Sequence, residues 1–241
     1  MKKNNLLLFF SAIFILGALW FVFFYHNFLT KPEIEYKEVQ ATTTTTKSAE
    51  KPASVKAAAD LPVPYTLQGP LNNLNIHEES CEEAAALMYH YFLEGTKFPN
   101  DVITPQRAND EMLAMKAWEV KNYGSEPDLT IERLGQFMQQ YYGYKYRVFK
   151  NITEDDIKRE ISSGHPVMVP VMTHALKNPN YGPVSVYHIL VLKGYNDQNV
   201  IANDPGIRGQ NIQYSWDILF QAIDAQTPKM HQGRDMVIVA K

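Results

Sequence analysis

Cysteine is nearly absent from this chain: Cys81 stands alone among 241 residues. A single thiol can form no intramolecular disulfide and no thiolate zinc cage, which excludes disulfide scaffolds, zinc fingers and iron–sulfur proteins. An excess of positive charge is missing as well. Lys and Arg number 23 against 26 Asp and Glu, and from residue 61 onward 16 against 21, so nothing favours nucleic acid as a partner. Charged residues make up only 20% of the chain and hydrophobic ones 45%, too apolar for a disordered protein and ample for a core. No internal repeat is present, and no cofactor or metal is expected.

What the chain does have is one long apolar run, Leu6 to Tyr25, broken only by Ser11 and Gly17 among larger side chains. As a helix rising 1.5 Å per residue it spans roughly 30 Å, the thickness of a hydrocarbon core. Lys2 and Lys3 precede it with no matching cluster directly after, so the positive-inside rule puts the N-terminus in the cytoplasm and the rest outside. A cleaved signal peptide is the rival reading. Its apolar region is normally shorter and ends at a small-x-small site, which Phe21 to His26 does not offer. Residues 1–30 therefore read as a cytoplasmic stub and single-pass membrane anchor. Residues 31–60, rich in Thr, Ala, Lys, Glu and Ser, read as a flexible stalk, because they hold too little apolar surface to offset chain entropy. The globular domain is expected from 61 to 241, outside the cytoplasm.

Within it the periodicities predict an α+β order. Helices are expected at Ser80–Glu94, from Thr104-Pro105 through Trp118, at Thr130–Tyr142, at Thr153–Gly164 and briefly at Ser215–Ala222. Strands are expected at Lys145–Phe149, Pro166–Met172, Val186–Gly194, Asn199–Ala202 and Met236–Ala240. Helices followed by an antiparallel sheet suggest two layers with a cleft between them.

Chemistry concentrates at Ser80-Cys81-Glu82-Glu83, which fits the S-x-x-E capping box and sets Cys81 in the first turn of a helix. Free amides and the macrodipole there favour a thiolate, whereas Glu82 and Glu83 oppose it. A buried structural thiol is the alternative. A nucleophile needs a base and an orienting group. Of seven histidines, His188 is distinctive, since it lies in the apolar strand Tyr187 to Gly194, where an imidazole needs a partner. The return strand of a hairpin ends at Asn203-Asp204-Pro205 and can bring Asp204 level with His188. The pair is then either catalytic or purely architectural.

Four segments, in order, carry a resemblance: Val63-Pro64-Tyr65-Thr66-Leu67-Gln68, Ser80-Cys81-Glu82-Glu83-Ala84-Ala85-Ala86-Leu87-Met88, Tyr187-His188-Ile189-Leu190-Val191-Leu192-Lys193-Gly194-Tyr195 and Asn203-Asp204-Pro205. Together they resemble the papain-fold cysteine peptidases related to the bacteriocin-leader-processing domains, and more closely the stand-alone branch on bacterial surfaces. The resemblance implies a papain-like α+β fold over residues 61–241 with Cys81 as nucleophile, His188 as general base, Asp204 as orienter and Gln68 as oxyanion-hole donor. It implies a peptide or protein substrate and hydrolysis through a thioester. Many relatives carry Gly or Gly-Pro after the cysteine, where this chain has Glu82-Glu83. A catalytically silent peptide-binding module and an amidase or acyltransferase of cell-wall peptides are the alternatives on the same fold.

Overall fold

The computed structural model describes residues 55–207, 209–226 and 233–241. The expected anchor and nearly all of the expected stalk lie outside them. Among the described residues no helix is long and apolar enough to cross a membrane. The elements in chain order are β1 (Ala59–Asp60), α1 (Cys81–Glu94), α2 (Pro105–Tyr123), α3 (Ile131–Tyr142), β2 (Lys145–Phe149), α4 (Glu154–Ser162), β3 (Val167–Met172), β4 (Tyr187–Tyr195), β5 (Asn199–Asn203), β6 (Ile212–Ser215), α5 (Trp216–Asp224) and β7 (Met236–Ala240). Single 3₁₀ turns occur at Pro99–Asp101 and Thr173–Leu176.

Local chemistry sets the helix ends. Pro105 opens α2 at a position that needs no N–H. Thr130 caps α3 by accepting the N–H of Arg133, and Thr153 with Asp156 forms a full capping box on α4. Gly95, Gly124 and Gly143 close α1, α2 and α3 in the left-handed conformation. The capping box expected at Ser80 does not form. The Ser80 side chain makes no cap bond and instead meets Nδ1 of buried His77 at 3.1 Å. His77 Nε2 faces Asn109 Oδ1 at 3.2 Å, so Nδ1 is left to accept from the Ser80 hydroxyl.

The strands pair antiparallel in the order β2-β7-β3-β4-β5-β6, with β1 added against the end of β4. Strand β3 reads Val-Met-Val-Pro-Val-Met and is buried throughout, because the sheet is covered on both faces. Val167, Val169, Val171, Leu190 and Leu192 pack with Ile157 and Ile161 of α4 and Leu219 and Ile223 of α5. Met168, Ile189, Val191, Val237 and Val239 pack with α1, α2 and α3. Pro170 has no N–H to give, and the β3–β7 pairing is confined to Met168 against Val237.

Helix α1 sits at the centre of the second layer, buried from Cys81 through Tyr89. Truncating Leu87 or Met88, both without exposed surface, would cost about 2–5 kcal/mol. This packing fixes the axis of α1 and so the position of its first residue, Cys81.

The elements depart from expectation at the start of the fold, at the end of α2, which runs on past Trp118 to Tyr123, and at β6, a strand that was not expected. The fold begins before Leu61: Ala59 and Asp60 pair with Tyr195 and Gly194, and the Lys56 N–H donates to Ser162 Oγ at 3.1 Å. Gly194 permits this, since a Cβ there would lie 2.6 Å from the Ala59 carbonyl oxygen. Strand β6 has only four residues, half-buried or exposed apart from Tyr214, so it carries little apolar signal of its own.

Candidate active site

Cys81 is the first residue of α1 and keeps only 4% of its surface exposed. It packs in one buried cluster with Ile189, the residue after His188. Helix α1 and strand β4 thus meet where the nucleophile and base are expected. The thiol donates to Glu82 Oε2 at 2.9 Å. Burial pushes the Cys81 thiol well above the ordinary thiol range, and the Glu82 carboxyl adds to that, while the Ile189 N–H pulls the other way. The helix N-terminus alone predicts a lowered value. Desolvation outweighs it here because Cys81 is buried.

His188 on β4 is buried, and its Nε2 lies 2.9 Å from Asp204 Oδ1. Asp204 directly follows β5, whose Asn203 pairs with Val191 beyond a register shift between Leu192 and Gly194. The hairpin therefore delivers the carboxylate to the imidazole as expected. With Nε2 engaged, Nδ1 is the ring nitrogen left to exchange a proton with a thiol.

Asp204 has no exposed surface. Its Oδ1 also accepts from the Tyr181 hydroxyl at 2.6 Å and the Gly206 N–H at 3.0 Å, and Oδ2 accepts from the Tyr214 hydroxyl at 2.9 Å. Burial raises its pKa, but the hydrogen bonds from His188, Tyr181 and Tyr214 outweigh burial and hold it below the usual carboxylate range. The carboxylate thus remains an anion facing the imidazole.

Tyr181, Tyr214 and Gly206 were not foreseen from the sequence. Tyr181 lies in the loop before β4, and its ring meets the His188 ring edge to face, with centroids 5.9 Å apart. A Cβ on Gly206 would come within 2.7 Å of the Tyr181 hydroxyl and 3.0 Å of His188 Cε1. The Pro205-Gly206 step is the one sequence signal that could have suggested this close approach.

Gln68 is buried and belongs to the same neighbourhood. Its backbone N–H donates to the carbonyl of Pro205 at 2.9 Å, which ties it to the segment carrying Asp204. Its Nε2 donates to the carbonyls of His77 at 3.2 Å and Glu78 at 3.1 Å, just ahead of Ser80-Cys81. Both amide hydrogens are therefore engaged by backbone. Asn203 straps the same segment by donating to the carbonyls of Val63 at 3.0 Å and Pro64 at 3.3 Å.

The aromatic residues at the end of α3 pack against their neighbours. Tyr142 stacks on His90, and Tyr141 stacks on Phe137. Among the described residues no group of three or more His, Cys, Asp or Glu could hold a metal ion.

A central helix that begins with a cysteine, packed on an antiparallel sheet whose facing strand carries a His–Asp pair, defines the papain-like cysteine-peptidase class of fold. Comparison with known proteins agrees. The chain belongs to the Peptidase_C39 like family, whose model matches residues 60–226. A crystal structure described as a C39-like peptidase from Bacillus anthracis is similar at 16% identity and a TM-score of 0.50, covering 77% of this chain and 99% of that one. Xylellain, a cysteine protease from Xylella fastidiosa, covers 80% of this chain and 89% of its own at 12% identity, with a TM-score of 0.34 that supports no inference. No curated protein matches the chain.

Proposed function

We propose that this protein is a thiol hydrolase that cleaves peptide bonds, held on the outer face of the cell membrane by a helix over residues 6–25. The observation that carries the reading is the 2.9 Å contact between His188 Nε2 and Asp204, made on the strand whose Ile189 packs in one buried cluster with Cys81. The domain limits follow the same reading: anchor to residue 30, a stalk beyond it, and a peptidase domain whose first strand is β1.

In the proposed reaction His188 Nδ1 takes the Cys81 proton, and sulfur attacks the substrate carbonyl carbon. The oxyanion is held by the Cys81 backbone N–H and by Gln68, which exchanges one of its two carbonyl partners for it. The imidazolium then gives its proton to the leaving amine, leaving a thioester. Water attacks the thioester as His188 accepts a proton, and the acid and the thiol are released. Asp204 orients the imidazole through Nε2 and stabilises its charged form.

The buried thiol, bonded to Glu82, is the observation that favours the second reading, a silent peptide-binding module. Digestion of peptide libraries beside peptidoglycan fragments, with the native chain and Cys81→Ala, separates the possibilities. Peptide cleavage lost in Cys81→Ala is the expected result. Cleavage by Cys81→Ala ends the proposal, cleavage of cell-wall fragments alone moves it to an amidase, and cleavage of neither supports the silent module.

A further inference from the structure

Glu82 follows the proposed nucleophile and retains 1% of its surface. Its Oε1 accepts the backbone N–H of Leu129 at 2.8 Å, and the Leu129 carbonyl accepts the Tyr187 hydroxyl at 2.8 Å. Tyr187 precedes His188. The Glu82 carboxyl is thereby fixed between the helix of the nucleophile and the strand of the base, with Oε2 left 2.9 Å from Cys81 Sγ.

The titratable groups that face Glu82 are all acids. Cys81 and Glu83 lie on its own helix, Asp128 on the α2–α3 connection and Glu119 on α2. Lys116 of α2 acts on neighbouring Glu83, and the bonds from the Cys81 thiol and the Leu129 N–H favour the Glu82 anion, but burial and the surrounding acids outweigh them. A buried carboxyl surrounded by acids holds its proton. Burial, with Glu83 beside it, pushes Glu82 up to about 8. Because Oε1 is occupied as an acceptor, that proton belongs on Oε2, the oxygen that faces sulfur.

Resting on the nucleophile assigned above, we propose that Glu82 is a further catalytic residue, a neutral carboxylic acid that donates its Oε2–H to the Cys81 thiolate. When His188 removes the thiol proton, the 2.9 Å contact reverses direction: sulfur, formerly the donor, becomes the acceptor. Glu82 keeps its proton through the whole cycle, so no group is consumed. An ionised Glu82 would do the opposite and hold the thiol protonated. A hydrogen bond of this kind to an anion changes the thiolate population by about 10- to 100-fold.

The test is the rate of Cys81 alkylation by iodoacetamide in the full-length chain between about pH 5 and pH 10, with the native protein, Glu82→Gln and Glu83→Gln. The native rate is expected to climb with pH up to about 8 and then to lag, because Glu82 ionises there and its charge holds the thiol protonated. In Glu82→Gln the amide N–H is a donor at every pH and the amide oxygen still accepts from Leu129. Its lag is expected to vanish, leaving it about tenfold faster than the native chain at the alkaline end. Glu83→Gln keeps Glu82 and removes a neighbouring charge, so the lag should move to lower pH; it serves even where Glu82→Gln does not fold. In the infrared difference between native protein and Glu82→Gln at pH 7, the carbonyl band of a protonated carboxyl should appear on the native side. The same alkaline lag in Glu82→Gln, an unmoved lag in Glu83→Gln, or no such band overturns the proposal. Failure of the triad reading is recognised separately, by His188→Ala leaving Cys81 alkylation unchanged.

Discussion

Replacing Asp204 by Asn tests the orienting role with little change of shape. Four donors converge on this carboxylate: His188 Nε2, the Tyr181 and Tyr214 hydroxyls and the Gly206 N–H, at 2.6 to 3.0 Å. Asn keeps Oδ1 for three of them and turns Nδ2 toward Tyr214, whose hydroxyl already accepts from Asn178 at 3.2 Å. A hydrogen bond to a charged group is worth about 1.5–3 kcal/mol and a neutral one about 0.5–1.5, so the charge itself is worth roughly 1–2 kcal/mol to the imidazolium. At 1.36 kcal/mol per tenfold, kcat/KM should fall about 5- to 30-fold while the chain stays folded. Asp204→Ala is a different case: it strands four donors where there is no exposed surface, at about 1–3 kcal/mol for each left unpaired, and should unfold the domain. The assay is kcat/KM on a fluorogenic peptide that the native chain cleaves, beside thermal melts. Native kcat/KM in Asp204→Asn, or a stable and active Asp204→Ala, would refute the reasoning.

Gly206→Ala should disable the site without disturbing the core. Its Cβ would lie 2.7 Å from the Tyr181 hydroxyl and 3.0 Å from His188, an overlap costing about 1–3 kcal/mol and relieved by moving the ring. At least tenfold loss of kcat/KM with an unchanged circular dichroism spectrum is expected, and partial recovery when Tyr181→Phe removes the nearest atom. No loss would show that the ring has room to spare. Glu119 supplies a test of stability against pH. Burial, then neighbouring Glu83, pushes it from its ordinary 4.5 up to about 9. Its folded pKa is raised, so its contribution is fully present below pH 4.5, declines as pH rises, and is gone above about 9. Glu119→Gln should therefore gain stability over the native chain progressively across that window, read as denaturant midpoints at pH 5 and pH 9. An equal difference at both values would contradict it.

Much of this architecture was legible because the signals were local. The Thr104-Pro105 start, the glycines after α1 and α3, and the apolar runs of β3 and β4 locate those elements to within a residue or two. The His188–Asp204 pair was legible because a hairpin brings together the ends of consecutive strands. What failed to show depended on contacts from afar. Ser80 looked like a cap, but its hydroxyl is held by His77, whose burial depends on Asn109 of α2. Ala59 and Asp60 form a strand only because Gly194 leaves space for their backbone. Tyr181 and Tyr214 come from a loop and a four-residue strand with no periodicity to mark them. Glu82 read as a repulsive neighbour of the thiol, since the sequence could not show that burial changes its charge.

The central claim is that Cys81 becomes acylated during peptide cleavage. Acid-quenching the native chain during turnover and mapping the adduct by mass spectrometry tests it most directly. The account expects a hydroxylamine-sensitive thioester on the fragment that contains Cys81, and none in Cys81→Ala. Peptide hydrolysis with no adduct at residue 81, retained in Cys81→Ala, would contradict it.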